Sequence, residues 1–202
     1  MASTTVYPNG DGTINGWTEW APSTGGTTNL YQKIDEGTAS PNDSDSVIGG
    51  YAAGSYYILL GDMPVDFGTA TAVSIKVRAQ YTTGKGDVKS FDCRLVKSDE
   101  TTAITASTNT TVTASAATYT IPPSITGATD KTSWDGMRLK LTPVASAGTP
   151  GSNGGIIVSA VQVDITYTAA AASGGPNRML SLSNKAFSNI NNSMVVPFHL
   201  PS

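Results

Sequence analysis

Apolar and polar residues alternate along several short stretches of this chain. From Val73 to Tyr81, Val73, Ile75, Val77, Ala79 and Tyr81 fall on one side and Ser74, Lys76, Arg78 and Gln80 on the other. A period of two is that of a half-buried strand. The same period runs through Asp87–Lys97, with Phe91, Cys93 and Leu95 in phase. It returns where Met137, Leu139 and Leu141 alternate with Arg138, Lys140 and Thr142, and again in Gly155–Thr168 through Val161, Val163, Ile165 and Tyr167. Tyr56–Leu60 is a short apolar run whose length and residue types suit a strand. Leu30–Asp35, Ala103–Thr108 and Ala117–Ile121 predict shorter strands, the last ended by Pro122 and Pro123. The TTGKG turn between Val73–Tyr81 and Asp87–Lys97 predicts an antiparallel hairpin.

Between these stretches lie turn formers. Residues 1–29 read as a turn-rich segment through PNGDG, INGW and STGG, and GTASPNDSDS reads as a loop. Thr132 and Ser133 offer N-cap chemistry for one short helical turn, which Gly136 stops. No stretch carries a long amphipathic helical period. About eight strands separated by turns predict an all-β antiparallel sandwich or barrel.

The texture changes after Thr168. Residues 169–175 are small and form a hinge, and residues 176–202 form a 27-residue tail without Asp or Glu, carrying Arg178, Lys185 and the chain's single histidine, His199. Met179, Leu180, Leu182, Phe187, Ile190, Met194, Val195, Val196, Phe198 and Leu200 make this tail too apolar for a solvated linker. Asn, Ser and Pro interrupt any sustained helical period. Left in water, such a segment is an association liability. It either folds back over an edge of its own sandwich or docks on another subunit, and its composition favours docking. The division expected is a body at 1–168, a hinge at 169–175 and an extended arm at 176–202.

Composition narrows the chemistry. Only 13% of residues are charged, while 28 Thr and 22 Ser supply hydroxyls for exposed strand faces and turns. Ten bases against fifteen acids leave the body at −5, and the remainder carries +2, within a formal net charge of −3. No basic stripe is present, which argues against nucleic acid as partner. No apolar run reaches the roughly 20 residues of a membrane span, and the N-terminus lacks the basic and apolar regions of a signal peptide. Synthesis in a cytosol is therefore expected. A single cysteine, Cys93, excludes an internal disulfide and reads as a small buried hydrophobe.

Catalytic constellations are hard to assemble. His199 lies near the end of a segment read as an arm, where a triad histidine could not be held rigidly. One Cys and one His cannot build a zinc site, and TTGKGD is not a phosphate-binding loop. Asp99 and Glu100 read as solvated turn residues rather than paired hydrolytic carboxylates. The expectation is a protein that is not an enzyme and carries no cofactor. The one metal the acids could serve is calcium, through Asp35, Glu36, Asp43 and Asp45, since clustered oxygen ligands in loops suit that ion. Trp17, Trp20 and Trp134 are candidates for stacking against a glycan, although aromatics are equally the largest core fillers.

The order of these features resembles a known pattern. TAVSIKVRAQYTTGKGDVKSFDCRLVKSDE, a Thr/Ser-rich segment closing on ATYTI, TSWDGMRLKLTPVAS and GGIIVSAVQVDITYT, preceded by IDEG and PNDSDSV, resemble jelly-roll domains of bacteriophage structural proteins. Those domains are similar in shape to galactose-binding-like and carbohydrate-binding modules. The resemblance covers about residues 30–168 and implies a jelly-roll-like sandwich in a virion. It implies a capsid decoration, or cement, protein as the first reading, bridging neighbouring capsid subunits with the arm. Its partners would then be the major capsid protein and copies of itself, as a homo-oligomer on the particle. A carbohydrate-binding host-adhesion module, or a neck or tail protein of the same virion, is the alternative.

Overall fold

A computed structural model of the chain describes residues 1–21, 25–82, 88–145 and 154–171. By its contacts the chain divides into a compact unit, Met1–Ala171, and a second, Ala172–Ser202, which lies outside the described residues. The arm and its ten apolar residues, from Met179 to Leu200, therefore fall outside the description that follows.

The body is an all-β sandwich of two antiparallel sheets. Its strands are β1 (Ala2–Val6), β2 (Pro8–Ile14), β3 (Trp17–Ala21), β4 (Ser46–Gly50), β5 (Tyr56–Leu60), β6 (Phe67–Thr82), β7 (Val88–Val96), β8 (Thr108–Thr111), β9 (Ala117–Ile121), β10 (Arg138–Ala145) and β11 (Gly155–Ala169). One sheet runs β3-β4-β11-β6-β9, with β1 also paired to β11. The other runs β2-β5-β10-β7-β8. Chain neighbours mostly sit in different sheets, so the chain repeatedly crosses the core, in a jelly-roll-like manner. The inward set predicted from the period of two is buried in both layers: Ile75, Val77 and Ala79 face Phe91, Leu95, Leu139 and Leu141 across one continuous apolar cluster.

β11 carries a change of phase that its sequence conceals. Ile156 and Val158 join the core at even positions, and Val161, Val163, Ile165 and Tyr167 at odd ones. The switch occurs at a register shift between Val158 and Ala160, opposite Ala79 and Arg78. Ser159 is the extra residue. A bulge of this kind moves one side chain out of the ladder and flips the faces beyond it.

Several expectations need correction. β6 and β7 do not form a hairpin: β6 pairs with β11 and β9, and β7 with β10 and β8, in the opposite sheet. The apolar faces are as predicted, but they meet across the core instead of lying side by side. Residues 1–29 are not merely turns, since β1, β2 and β3 lie there. Glycines and a proline survive in β2 because it is an edge strand, with two irregularities against β5. Leu30–Lys33 is a 3-10 turn instead of a strand. Asn29 enters it with φ of 54°, and the Asp11 carboxylate accepts hydrogen bonds from the Leu30 and Tyr31 amides at 2.9 Å each. Ala103–Thr108 contributes only isolated bridges at Ala103 and Thr105, and the strand follows as β8. The short helix α1 (Lys131–Trp134) is capped by Asp130, whose side chain accepts from the Ser133 amide, so Thr132 and Ser133 lie inside it. Gly136, at φ of 67°, ends that turn as predicted.

Candidate functional site

The tryptophans divide sharply. Trp17 and Trp134 are both fully buried. Trp17 donates its indole N–H to the Gly54 carbonyl at 2.9 Å, and Trp134 donates to Ala128 O at 2.9 Å. With both faces in the core and the one polar atom satisfied, neither offers a platform to a glycan. This corrects the stacking role considered for them. Burial of the ring with its N–H paired is the lower-energy use of a large aromatic in a chain short of them. Trp20, on edge strand β3, is 40% exposed and alone of the three keeps a face toward solvent.

The acidic candidates do not converge. Arg78, on the outer face of β6, forks onto Asp43: its Nε donates to Oδ1 at 2.7 Å and its Nη2 donates to Oδ2. Ser159, the bulge residue, donates its hydroxyl to the same Oδ1 at 2.6 Å. The Arg78 hydrogen bonds hold the Asp43 carboxyl below its ordinary range, against the opposing effect of burial. Asp45 instead faces Lys33, whose Nζ lies 3.2 Å from Asp45 Oδ1 and 3.2 Å from Glu19 Oε1. Asp11 is engaged with the 3-10 turn and with the Tyr56 hydroxyl, which donates to it at 2.5 Å. Asp164 takes Lys76 at 2.7 Å, with hydrogen bonds from Thr5 and Gln162. Among the described residues no three His, Cys, Asp or Glu side chains gather as metal ligands would. Of Asp35, Glu36, Asp43 and Asp45, only Asp43 and Asp45 form ion pairs among the described residues, Asp43 with Arg78 of β6 and Asp45 with Lys33.

Glu36 differs from the rest of that group. Its Oε2, like Asp45 Oδ1, is buried without a hydrogen-bond partner, but only Asp45 Oδ1 has the Lys33 ammonium at 3.2 Å. Burial pushes its carboxyl above the ordinary value, and the nearby charges of Asp35 and Asp45 add to the shift.

The remaining reactive types are also engaged in the fold. Cys93 is buried on the inner face of β7, and burial, helped by Asp92, pushes its thiol up to about 12. That excludes the thiolate a nucleophile needs. Asp99 accepts from the Thr101 and Thr102 amides at 2.8 Å each, and the Thr102 hydrogen bonds hold it well below the usual carboxylate range. Glu100 accepts from the Thr13 amide at 2.9 Å and pairs with Arg138. These contacts tie the β7–β8 connection to β2 and β10. His199 lies outside the described residues.

The outer face of the second sheet holds a feature that sequence reasoning missed. A cleft of about 250 Å³ is lined there by Asp92 and Arg94 of β7, Lys140 and Thr142 of β10, and Ser107 before β8, with Cys93 between the two β7 side chains. The register sets Lys140 opposite Arg94 and Thr142 opposite Asp92. On the far side Lys140 opposes Tyr57, and its Nζ lies 5.5 Å from that ring's centroid. Thr142 shares a 2.9 Å hydrogen bond with Ser55, and Asn109 donates to Asp92 Oδ1 at 2.8 Å. Asp92, Arg94, Lys140 and Thr142 each sit at the polar position of an alternating strand. What joins them is the strand order β5-β10-β7-β8, which the alternation does not encode.

No helix among the described residues is long and apolar enough to cross a membrane. No protein-family model matches the sequence, and no curated protein matches it. Among solved structures, the fold is similar to part of a family two carbohydrate esterase from Cellvibrio japonicus, at a TM-score of 0.36 and 13% identity, over 83% of this chain and 35% of that one. It is also similar to part of an arabinose-bound α-L-arabinofuranosidase, at a TM-score of 0.43 and 10% identity, over 80% of this chain and 26% of that one. The chain therefore spans about a third of the first and a quarter of the second. Likeness at this level transfers neither family nor activity.

Proposed function

We propose that this chain is a non-catalytic structural protein of a virion, and specifically a capsid decoration protein. The body is a rigid spacer seated on the particle. The arm, residues 176–202, buries its apolar side chains in a neighbouring subunit, with Phe187 and Phe198 as anchors. The observation that carries this reading is the contrast within the chain. All fifteen acids precede residue 169, while the last 27 residues combine no acid with ten large apolar side chains. A segment of that composition gains more by ordering against a protein surface than by staying in water.

The use of the body's ionisable groups supports the non-catalytic part. Asp11, Asp43, Asp99, Glu100, Asp130, Asp135 and Asp164 each serve a turn, a cap or an ion pair. Decoration needs no reaction. Many modest contacts repeated by the symmetry of a particle suffice, because each added contact acts at a high effective concentration.

Labelling purified particles with an antibody to this chain tests the proposal. Label distributed over the outside of the head is expected. Label confined to the neck or tail, or none on the particle, would refute a capsid role.

A further inference from the structure

We infer that the cleft between β7 and β10 is a binding site for an acidic saccharide unit, one sugar-sized ring bearing a carboxylate or a phosphate. It rests on the body alone and not on the assembly role of the arm.

Two cations define the site. Arg94 and Lys140 stand directly opposite each other on adjacent antiparallel strands, both on the outer face. Side chains so placed have Cβ atoms about 4.5–5.5 Å apart, and like charges there are destabilising. Among the described residues, Lys33, Lys76, Arg78, Lys131 and Arg138 have carboxylate partners instead. Of the three described arginines, Arg94 alone has no ion pair among the described residues. It is nevertheless only half-exposed. Asp92, two residues away on the same face, is already hydrogen-bonded by Asn109. A half-exposed arginine next to a lysine, neither in an ion pair among the described residues, is a site that an incoming oxyanion completes.

The surroundings define the rest of the ligand. Ser107 and Thr142 bring hydroxyls, and Asp92 Oδ2 stays available to accept from a ligand hydroxyl. Tyr57 holds Lys140 over its ring, so the ammonium is positioned before a ligand arrives. A purely anionic ligand has no use for the carboxylate, and a neutral sugar has no use for the paired cations. A polyhydroxylated ring with one negative group uses both. The volume of about 250 Å³ lies just under the about 300–1,000 Å³ of drug-sized ligand sites, which suits a single ring.

The experiment titrates the full-length protein by calorimetry at low salt. The probes are a galacturonate oligosaccharide, glucose 6-phosphate, and their neutral counterparts galactose and glucose. At least one acidic probe should bind about tenfold or more tightly than its neutral counterpart, as expected for charge-assisted hydrogen bonds. The better of the two names the anion as carboxylate or phosphate. Arg94→Gln and Lys140→Gln should each weaken that binding by about tenfold or more. Arg94→Gln should also raise the melting temperature of the free protein, because it removes the opposed charges. No binding of either acidic probe at millimolar concentration would overturn the inference. So would equal binding of acidic and neutral probes, unchanged affinity in both variants, or a lowered melting temperature for Arg94→Gln. Loss of saccharide binding would leave the location of the chain on the particle unaffected, so the two proposals fail separately.

Discussion

Single residues in this body are mostly fixed by what lies against them. Gly49 shows this well: a Cβ there would sit 2.5 Å from the Trp17 ring and 2.8 Å from Pro143 Cγ. Trp17 and Gly49 are cross-strand partners, so the indole lies over the gap that the glycine leaves. Gly49→Ala should therefore destabilise the protein by about 1–3 kcal/mol through overpacking. Trp17→Ala should cost about 3–5 kcal/mol, because it empties the same space. Chemical denaturation of both variants checks the pair, and an unchanged midpoint for Gly49→Ala would contradict this packing. Glu36 makes the opposite case. Its folded-state carboxyl is raised above the unfolded value of 4.5, so at neutral pH the native state carries an ionised, partly buried group at a cost. That cost is relieved as pH falls through the folded value and is gone below about the unfolded one. Glu36→Gln should raise the melting temperature at pH 7, with the gain vanishing below about pH 4.5. A melting temperature lowered at pH 7 would show that the ionised carboxylate is needed.

At the level of elements, the 30–45 segment is held by Leu30 and Ile34, both buried in the core, by the hydrogen bond from the Val161 amide to the Ile34 carbonyl, and by ion pairs and side-chain hydrogen bonds to the first sheet. Asp43 bridges Arg78 of β6 and Ser159 of β11, and Lys33 bridges Glu19 of β3 and Asp45. Asp43 has a depressed folded-state pKa, so its contribution is present above the unfolded value of 3.8 and is lost as pH falls through the lower, folded value. Asp43→Asn should speed amide exchange at Asp45 and Ser40, whose N–H groups close turns in this segment, while β11 stays protected. It should also flatten the loss of stability below pH 3.8. Exchange unchanged at those two amides would mean the segment is held some other way.

Elements also show what the sequence makes legible. Tyr56–Leu60, Ala117–Ile121, the buried sets of β6, β7 and β10, and that of β11 from Val161 onward were readable, because the period of two survives where one face is buried and no bulge interrupts it. Pairing was not readable. β6 and β7 have the alternation of a hairpin, yet each finds its neighbours elsewhere in sequence. The edge strand β2, with two glycines and a proline, reads locally as a turn and becomes a strand only through β5. The 3-10 turn at Leu30 depends on Asp11, a carboxylate nineteen positions away. The cleft was hidden for the same reason: Arg94 and Lys140 are ordinary outward residues until the register places them together. The tryptophans, conversely, were open to two uses in sequence, and only burial separates Trp20 from Trp17 and Trp134.

For the whole molecule, the question is how a compact body and an acid-free apolar tail work together. The body supplies a stable two-sheet scaffold whose described carboxylates are largely committed to holding it. The tail supplies ten large apolar side chains with only Arg178 and Lys185 as charges to keep them in water. Under the proposed reading, binding strength on the particle resides in the tail, and the body sets position. Co-sedimentation with empty capsids, comparing the full-length chain with a truncation ending at residue 175, measures this most directly. The account predicts that the truncated body stays folded, with an unchanged melting temperature, and loses most of its capsid binding. A folded truncation that binds capsids as well as the full-length chain would contradict it.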